Sequence, residues 1–334
     1  MSITLMLAAA FNAQCIEQQL QHGDDSQTLA QLRQRCAVIE PAREATAATP
    51  TDSAATATTD IEVATAQPEI ERRFAQEKAF EANRYGLSSH MNNYVLLASY
   101  NANANEETWE YSPEGISPWE VKFQFSFKVP VTPNWFGNDN GLYLAYTNQS
   151  WWQAYNKDVS APFRDTNHMP ELMWLHFFDD VHVGDWRLLI TNFSLNHQSN
   201  GRSGEQSRSW NRLIATTAFQ NDHWVVGARA WYRLPEDDKE FATDPKGDDN
   251  PDITDFMGHG ELFGIYARDD HNFSLRARGN ITQHKGGVEL GWSFPLKGKL
   301  RGYVQSYYGY GENLLDYNHK AERLSVGVEL TPIL

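Results

Sequence analysis

The sequence has no uncharged apolar run long enough to cross a bilayer as a helix, which takes about 20 residues. A helical membrane protein is therefore excluded. The sequence also has no excess of basic residues: 28 Lys and Arg stand against 43 Asp and Glu, for a net charge of −15. Because phosphate backbones are bound by basic surfaces, nucleic acid is not expected as a partner. The same charge leaves room for divalent cations.

Cysteine is also scarce. The two cysteines, Cys15 and Cys36, both lie near the N-terminus, outside the repetitive remainder of the chain. They could form one disulfide in an oxidising compartment such as a periplasm, or stay as two free thiols. The sequence leaves both alternatives open.

Aromatic residues, by contrast, are abundant in a polar chain. They make up 13% of the sequence, with 11 Trp and 14 Tyr, while the mean hydropathy is −0.58. This combination is typical of a transmembrane β-barrel, whose strands alternate lipid-facing and lumen-facing side chains. A soluble β-protein rich in aromatic residues is the alternative that composition cannot reject.

The N-terminal part of the chain divides into two segments. Residues 1–13 resemble the apolar core and cleavage end of a secretory signal, although a basic start is missing, and we expect cleavage after Ala13. Residues 14–70 are polar, and Pro, Ala, Thr and Asp dominate 41–68, so we predict a partly disordered periplasmic extension. Residues 71–334 are assigned to the barrel domain.

Twelve strands are predicted from residue 93 onward, which gives an all-β fold with an antiparallel transmembrane barrel. The last strand shows the alternation best, because Leu324, Val326 and Leu334 share one face, and Arg323 and Ser325 share the other. The predicted strands are 93–101, 118–130, 141–154, 169–180, 184–198, 206–219, 222–235, 254–268, 270–282, 285–296, 298–311 and 319–334.

The connections between these strands predict an orientation. Long connections follow the first, third and seventh strands, and connections of a few residues follow the fourth, sixth, eighth and tenth. Outer-membrane barrels have short periplasmic turns and longer external loops. An even strand number then places both termini in the periplasm. The hairpin formed by the fifth and sixth strands opens to the exterior.

That hairpin carries a pattern that suggests catalysis. His197 and Ser199 are two residues apart, so on a strand both side chains leave the same face. With a turn centred near Gly204, His197 lies opposite Asn211 and Ser199 opposite Ser209. Opposed Cβ atoms are about 5 Å apart, so an Asn amide could orient the imidazole that activates Ser199, as in a serine hydrolase. All three side chains belong to the apolar face, which favours a lipid-facing position.

From about residue 93 to 334 the chain resembles the outer membrane phospholipase A family of Gram-negative bacteria, whose members are twelve-stranded barrels. The resemblance rests on several long motifs in the order of the family. These are Asn196-His-Gln-Ser-Asn-Gly-Arg-Ser, Ser207-Arg-Ser-Trp-Asn-Arg212, Ser150-Trp-Trp-Gln153, Ser160-Ala-Pro-Phe-Arg-Asp-Thr-Asn167, Asp248-Asp-Asn-Pro-Asp-Ile-Thr254 and Gly309-Tyr-Gly-Glu312. The resemblance does not extend to residues 14–70.

The resemblance implies a calcium-dependent hydrolase of phospholipid acyl esters, with phospholipase A1, phospholipase A2 and lysophospholipase activity, in the bacterial outer membrane. Ser199 would be the nucleophile, His197 the general base and acid, and Asn211 the residue that orients His197. Membrane phospholipids are the implied substrates, and the implied active form is a homodimer with its site at the outer leaflet.

The resemblance also implies a calcium site at the subunit interface. The implied ligands are the carbonyl of Arg202, the side chain of Ser207 and Ser160 of the partner subunit. A weaker calcium position would lie at Asp249. Asn148 corresponds to a lipid-facing amide at the dimer interface, where its shorter side chain has less reach than the family's Gln.

A non-catalytic porin or structural barrel is the competing hypothesis. About twelve strands enclose a narrow lumen that long charged side chains could fill, and a Ser–His pair on the apolar face has no role in a pore. The sequence therefore favours the enzyme. Liposome leakage without lipid breakdown would favour the porin.

Overall fold

The structure is a computed structural model that describes residues 70, 86–111, 115–133, 139–297 and 300–331. The predicted signal peptide, both cysteines, the extension up to residue 69 and Leu334 fall outside the described residues.

Twelve long strands, two two-residue strands and one short helix make up the described part of the chain. In chain order they are β1 (Ser88–Ser89), β2 (Asn93–Asn101), β3 (Trp119–Pro133), β4 (Asn140–Trp152), β5 (Phe163–Phe177), β6 (His182–Val183), β7 (Trp186–Ser199), β8 (Ser209–Asn221), β9 (Trp224–Arg233), α1 (Ile253–Met257), β10 (Gly260–Arg268), β11 (His271–Asn280), β12 (Lys285–Pro295), β13 (Arg301–Gly309) and β14 (Ala321–Thr331).

The twelve long strands close into an antiparallel barrel. Each one pairs with its neighbours in the chain, and β14 pairs with β2, so the first and last long strands meet. The pairing of β3 with β4 completes the ring. Closure leaves no sheet edge exposed, as a β-structure in lipid requires. The predicted twelve-stranded barrel is confirmed.

The wall of the barrel has an apolar outer surface and a polar inner one. On β14, Leu324 and Val326 are 57% and 49% exposed, whereas the alternating Arg323 and Ser325 are buried. The other long strands follow the same period of two. The sequence pattern therefore separates a lipid-facing surface from the lumen.

Buried ion pairs fill one end of the lumen. Glu120 pairs with Arg164 at 2.7 Å and with Arg323 at 2.8 Å. Glu312 pairs with Lys122 at 3.0 Å and with Arg323 at 2.8 Å. Alternating charges in contact offset much of the cost of removing each from water. We call these five residues the lumen ion network.

The loop between β13 and β14 folds over this network. Residues 311–317 are all buried, and the backbone N–H groups of Leu314 and Leu315 donate to Asn167 and Asp165 of β5 at 3.0 and 3.1 Å. The loop therefore packs inside the barrel end, where a pore would need open space.

The two ends of the barrel differ in their connections. Residues 222–223 and 269–270 form two-residue turns at one end, which we call the short-turn end. Residues 102–118, 153–162 and 234–259 connect strands at the other, the long-loop end. The predicted alternation of short and long connections is confirmed. Near the short-turn end, Ile70 is 1% exposed and packs with Leu189, Val225 and Ile265.

Two strand boundaries differ from the predictions by six residues, and the others by three or fewer. The predicted strand 169–180 is β5, which begins six residues earlier, at Phe163, because it pairs with β4 along its length. Residue 254 was predicted to open a strand, but α1 lies there instead. Ile253 and Met257 are buried against Trp231 and Leu314, so tertiary packing overrides the strand pattern. Among the described residues, no helix is long and apolar enough to cross a membrane.

Candidate active site

The β7–β8 hairpin brings the predicted catalytic residues together. His197 pairs with Asn211, and Ser199 pairs with Ser209, which is the predicted register. Leu195 and Leu213, on the same face, are 48% and 49% exposed. The three side chains therefore lie on the outer surface of the wall, at the long-loop end.

A hydrogen bond joins His197 to Asn211. Nδ1 of His197 and Oδ1 of Asn211 are 2.9 Å apart, while Nδ2 of Asn211 donates to Oε1 of Glu236 at 3.1 Å. Because Glu236 fixes the amide, the Asn oxygen faces the imidazole and Nδ1 carries the proton. Nε2 of the neutral ring is then an acceptor, as a general base requires.

Glu236 was not predicted as a site residue. It lies in the loop after β9, 25 positions from Asn211, and no motif in the sequence links the two. Only the folding of this loop against the hairpin brings its carboxylate behind the Asn amide.

Ser199 lies two residues beyond His197 and on the same face of β7. In the described part of the chain, His197 and Ser199 make no hydrogen bond to each other. Catalytic hydrogen bonds often tighten only when substrate binds. The arrangement holds the imidazole of His197, the predicted base, on the same face as the Ser199 hydroxyl.

The turn between β7 and β8 is held by the side chain of Asn200. Its Oδ1 accepts hydrogen bonds from the backbone N–H of Arg202 at 3.3 Å and of Arg208 at 3.0 Å. Gly201 and Gly204 have φ values of 66° and 69°, which glycine adopts without strain. These contacts anchor the ends of the hairpin and so fix the level at which Ser199 emerges.

The predicted calcium residues contribute oxygen atoms beside this turn. Asp249 Oδ2 accepts hydrogen bonds from the hydroxyls of Ser207 at 2.8 Å and Ser209 at 3.1 Å. Its other oxygen, Oδ1, is paired with Nζ of Lys239 at 2.6 Å. A lysine that was absent from the prediction therefore neutralises this carboxylate.

Hard oxygen donors are what calcium prefers. Ser207 and Asp249 supply them in close contact, and Ser160 is exposed in the neighbouring long loop. Arg202 connects the hairpin turn to the start of β5, because its guanidinium donates to the carbonyl of Arg164 at 2.5 Å. The chemistry of these oxygen donors fits a calcium ion. No cluster of three His, Cys, Asp or Glu side chains suited to a metal occurs among the described residues.

Asn148 lies two strands away from Ser199 on the outer surface. It pairs with His168 of β5, which in turn pairs with Ser199 of β7. Neighbouring strands are about 4.8 Å apart, so Asn148 and Ser199 are separated by about 10 Å. Leu142 and Leu144 continue the face of Asn148 along β4. The predicted interface residue is thus adjacent to the predicted active site.

A cavity of about 220 Å³ lies elsewhere, inside the lumen. Its lining includes Ile70, Phe177, Leu189 and Phe263 and none of the three predicted catalytic residues. A lipid in the membrane has no route to that cavity through a closed wall, whereas the outer site faces it directly. The predicted catalytic residues therefore lie on the outer surface, away from this cavity.

The fold and this outer site together define a class: a bacterial outer-membrane β-barrel enzyme that acts on lipid. The family model for phospholipase A1 matches residues 70–330. The chain belongs to the phospholipase A1 family and is a phospholipase of the outer membrane.

Known relatives agree over most of the chain. Phospholipase A1 of Proteus vulgaris is 38% identical over 254 residues, which span 75% of this chain and 83% of that protein. Phospholipase A1 of Escherichia coli is 37% identical over 252 residues, with 75% and 83% covered. The family-model match begins at residue 70, in line with motifs that all lie in the predicted barrel domain.

Solved structures share the fold. Outer membrane phospholipase A from Escherichia coli superimposes with a TM-score of 0.69 at 35% identity, over 77% of this chain and 99% of that one. The Salmonella typhi outer membrane phospholipase, a dimer with bound calcium, gives a TM-score of 0.69 at 35% identity, over 77% and 98%. The resemblance to the outer membrane phospholipase A family is confirmed.

Proposed function

We propose that this phospholipase hydrolyses acyl esters of membrane phospholipids at both the sn-1 and sn-2 positions, and also those of lysophospholipids. It does so with Ser199 as nucleophile, His197 as general base and acid, and Asn211 as the orienting residue. The observation that carries this proposal is the His197–Asn211 hydrogen bond beside Ser199 on the lipid-facing wall.

The chemistry follows from these positions. Nε2 of His197 accepts the hydroxyl proton as Ser199 Oγ attacks the ester carbonyl carbon, and a tetrahedral intermediate forms. The ester C–O bond then breaks, His197 gives its proton to the departing alcohol oxygen, and the acyl group stays on Ser199. Water, deprotonated by His197, attacks this acyl ester, and the fatty acid leaves as Ser199 regains its proton.

Asn211 stabilises the proton-bearing Nδ1 of His197 throughout this cycle. As a neutral group it orients the ring without supplying a countercharge. Glu236, behind the amide, supplies negative charge one residue further away. The Glu236 carboxylate is therefore separated from His197 by the Asn211 amide. At that distance it still favours the imidazolium that forms in each transition state.

Calcium, when bound, would polarise water and stabilise negative charge on the substrate oxygen. The carbonyl of Arg202 and the hydroxyl of Ser207 would hold it, with Ser160 supplied by a second copy of the chain. Asp249 would contribute a weaker position. The calcium-bound dimer of the Salmonella typhi relative supports this assignment.

A homodimer is proposed as the active form. Leu142, Leu144 and Asn148 form a strip on β4, and Asn148 at its end lies about 10 Å from Ser199, so a second barrel against the strip would border the site. A ligand that binds only the dimer strengthens it by linkage. The long-loop end faces the outer leaflet in this proposal, and both termini are periplasmic.

The test is a single calcium titration in which chemical crosslinking and fatty-acid release are measured on the same samples. Both signals should rise together, and Asn148→Ala should weaken both. Ser306→Ala is the matched control, because Ser306 faces outward on β13 between Leu290 and Leu324, away from β4. Full hydrolysis by monomeric protein would overturn the dimer requirement. Leakage of liposomes without lipid breakdown would favour the porin.

A further inference from the structure

A second histidine faces the outer surface beside the nucleophile. His168 of β5 pairs with Ser199 of β7 on one side and with Asn148 of β4 on the other. Side chains of directly paired residues in an antiparallel sheet leave the same face, with Cβ atoms about 5 Å apart. His168 and Ser199 are therefore lateral neighbours on the lipid-facing wall, although 31 positions separate them in the sequence.

The hydrogen bonds of His168 define its tautomer. Its Nδ1 lies 2.7 Å from the hydroxyl of Tyr146 and 3.5 Å from Nδ2 of Asn148. The amide nitrogen can only donate, so Nδ1 is an acceptor. In the neutral ring the proton is then on Nε2.

The Nε2 edge of the ring faces the backbone that follows the nucleophile. A Cβ added at Gly201 would lie 3.7 Å from both Cδ2 and Nε2 of His168. Among the described residues, Nε2 meets no hydrogen-bond acceptor. The structure thus presents an N–H donor, fixed from behind, next to the segment Ser199–Gly201.

We propose that His168 contacts the substrate and donates its Nε2–H to the carbonyl oxygen of the ester that Ser199 attacks. This inference rests on the proposed function of Ser199. As Oγ bonds to the carbonyl carbon, the C=O electron pair moves onto this oxygen, and the donor stabilises the charge. When the C–O bond to the leaving alcohol breaks, the pair returns, and His168 keeps its proton throughout.

Two neighbours hold this donor in place. Tyr146 takes no part in the chemistry and is a positioning residue, because its hydroxyl lies 2.7 Å from Nδ1 of His168 and holds the ring in place. Asn148 belongs to the strip proposed as the dimer interface. The hydrogen bonds of His168 therefore connect that strip to the site of attack.

The experiment compares His168→Phe, which keeps a ring but removes the donor, with His168→Gln, which restores an N–H. His176→Phe is the matched control, because His176 lies on the same face of β5, eight residues away, paired with Thr191. Each variant is assayed as full-length dimer with calcium, on phosphatidylcholine in mixed micelles and on a neutral short-chain ester. Folding is checked by heat-modifiable migration.

Loss of one such donor typically lowers kcat by about 10²-fold or more. We expect His168→Phe to lose about 10²-fold in kcat on both substrates with KM within about threefold, and His168→Gln to recover to within about tenfold of the wild type. Tyr146→Phe, which keeps the imidazole, should lose about tenfold. His176→Phe should match the wild type.

Three results would overturn the proposal: unchanged kcat in His168→Phe, no recovery in His168→Gln, or a loss confined to phosphatidylcholine, which would place the donor on the phosphate. Labelling by a fluorophosphonate separates these from failure of the proposed function. If Ser199 is the nucleophile, wild-type protein is labelled at Ser199 and Ser199→Ala is not. Absence of that difference would refute the role of Ser199 itself.

Discussion

The inner and outer surfaces of the barrel wall use polar side chains in opposite ways. Inside, each charge of the lumen ion network contacts a charge of opposite sign, and the group is buried. Outside, the His197, Ser199 and Asn211 side chains lie among exposed leucines on a surface that contacts lipid. Polar side chains thus stabilise the fold on the inner surface, whereas on the outer surface we propose that they carry the chemistry.

The difference follows from the solvent on each side. Charged groups in the lumen bind one another in place of water, so their mutual contacts offset the free-energy cost of desolvation. Polar groups on a lipid-facing wall cannot find partners in hydrocarbon, and such residues are usually functional. The polar residues of the outer surface, His197, Ser199 and Asn211, are therefore the better guide to function in this protein.

The largest expected effect is a loss of activity with no change in stability. Ser199→Ala should reduce fatty-acid release by at least about 10³-fold and leave a folded, heat-modifiable barrel, since it removes the proposed nucleophile from a half-buried position on the outer wall. His197→Ala should be comparable, and Asn211→Ala milder because its role is orientation. Fatty-acid release from phospholipid in mixed micelles measures the activity of each of these variants. Activity of Ser199→Ala within tenfold of the wild type would exclude Ser199 as nucleophile.

The reverse effect is expected inside the barrel. Glu312→Gln should lower the free energy of unfolding by about 3 kcal/mol, because it leaves Lys122 buried without its carboxylate partner and Arg323 with Glu120 alone. Activity per folded molecule should stay near the wild-type value. Denaturant titration in micelles measures the first quantity. Glu322→Gln, at the exposed Lys320–Glu322 pair, is the control and should change stability by less than about 1 kcal/mol.

The same carboxylate should make stability depend on pH. Burial alone raises the pKa of Glu312, but Arg323, Lys122 and Arg164 outweigh it and lower that pKa to about 2. Its contribution is therefore fully present above the ordinary carboxyl pKa of 4.5 and is lost as the pH falls toward 2. Glu312→Gln should flatten the stability curve in this window. An unchanged curve would show that other carboxylates dominate acid unfolding.

The smallest effect is expected at the Lys239–Asp249 pair, where an ion pair lies beside the proposed calcium residues. Lys239→Met frees a carboxylate oxygen beside Ser207 and should strengthen calcium binding about fivefold, the equivalent of roughly 1 kcal/mol for a partly exposed ion pair. Calorimetric titration with calcium measures it. Lys246→Met, an exposed lysine of the same loop, is the control. Equal affinities in both variants would show that Lys239 does not compete with calcium.

Much of the barrel and the core of the site could be predicted from the sequence. Alternation along strands such as β14 reports directly which face contacts lipid, since the side-chain period is two. His197 and Asn211 are joined by a single turn, so turn length sets their register. These features depend on short stretches of chain, and the structure agrees with them.

The remaining features depend on contacts between distant segments. Glu236 reaches Asn211 from a loop, Lys239 neutralises Asp249, and α1 replaces a predicted strand start because it packs against Trp231. No local pattern encodes such pairings. They depend on how each long loop folds over the barrel end.

By itself, then, the sequence determined the twelve-stranded wall, its two chemically different surfaces and the hairpin that carries Ser199. Tertiary structure decided which residues surround that serine. His168 stands beside Ser199 only because β5 and β7 pair in one register, and the loop from 310 to 320 fills the barrel end only because its partners on β5 are in place. Period and turn length are local properties of a chain, whereas lateral neighbours in a closed sheet are set by the closure itself.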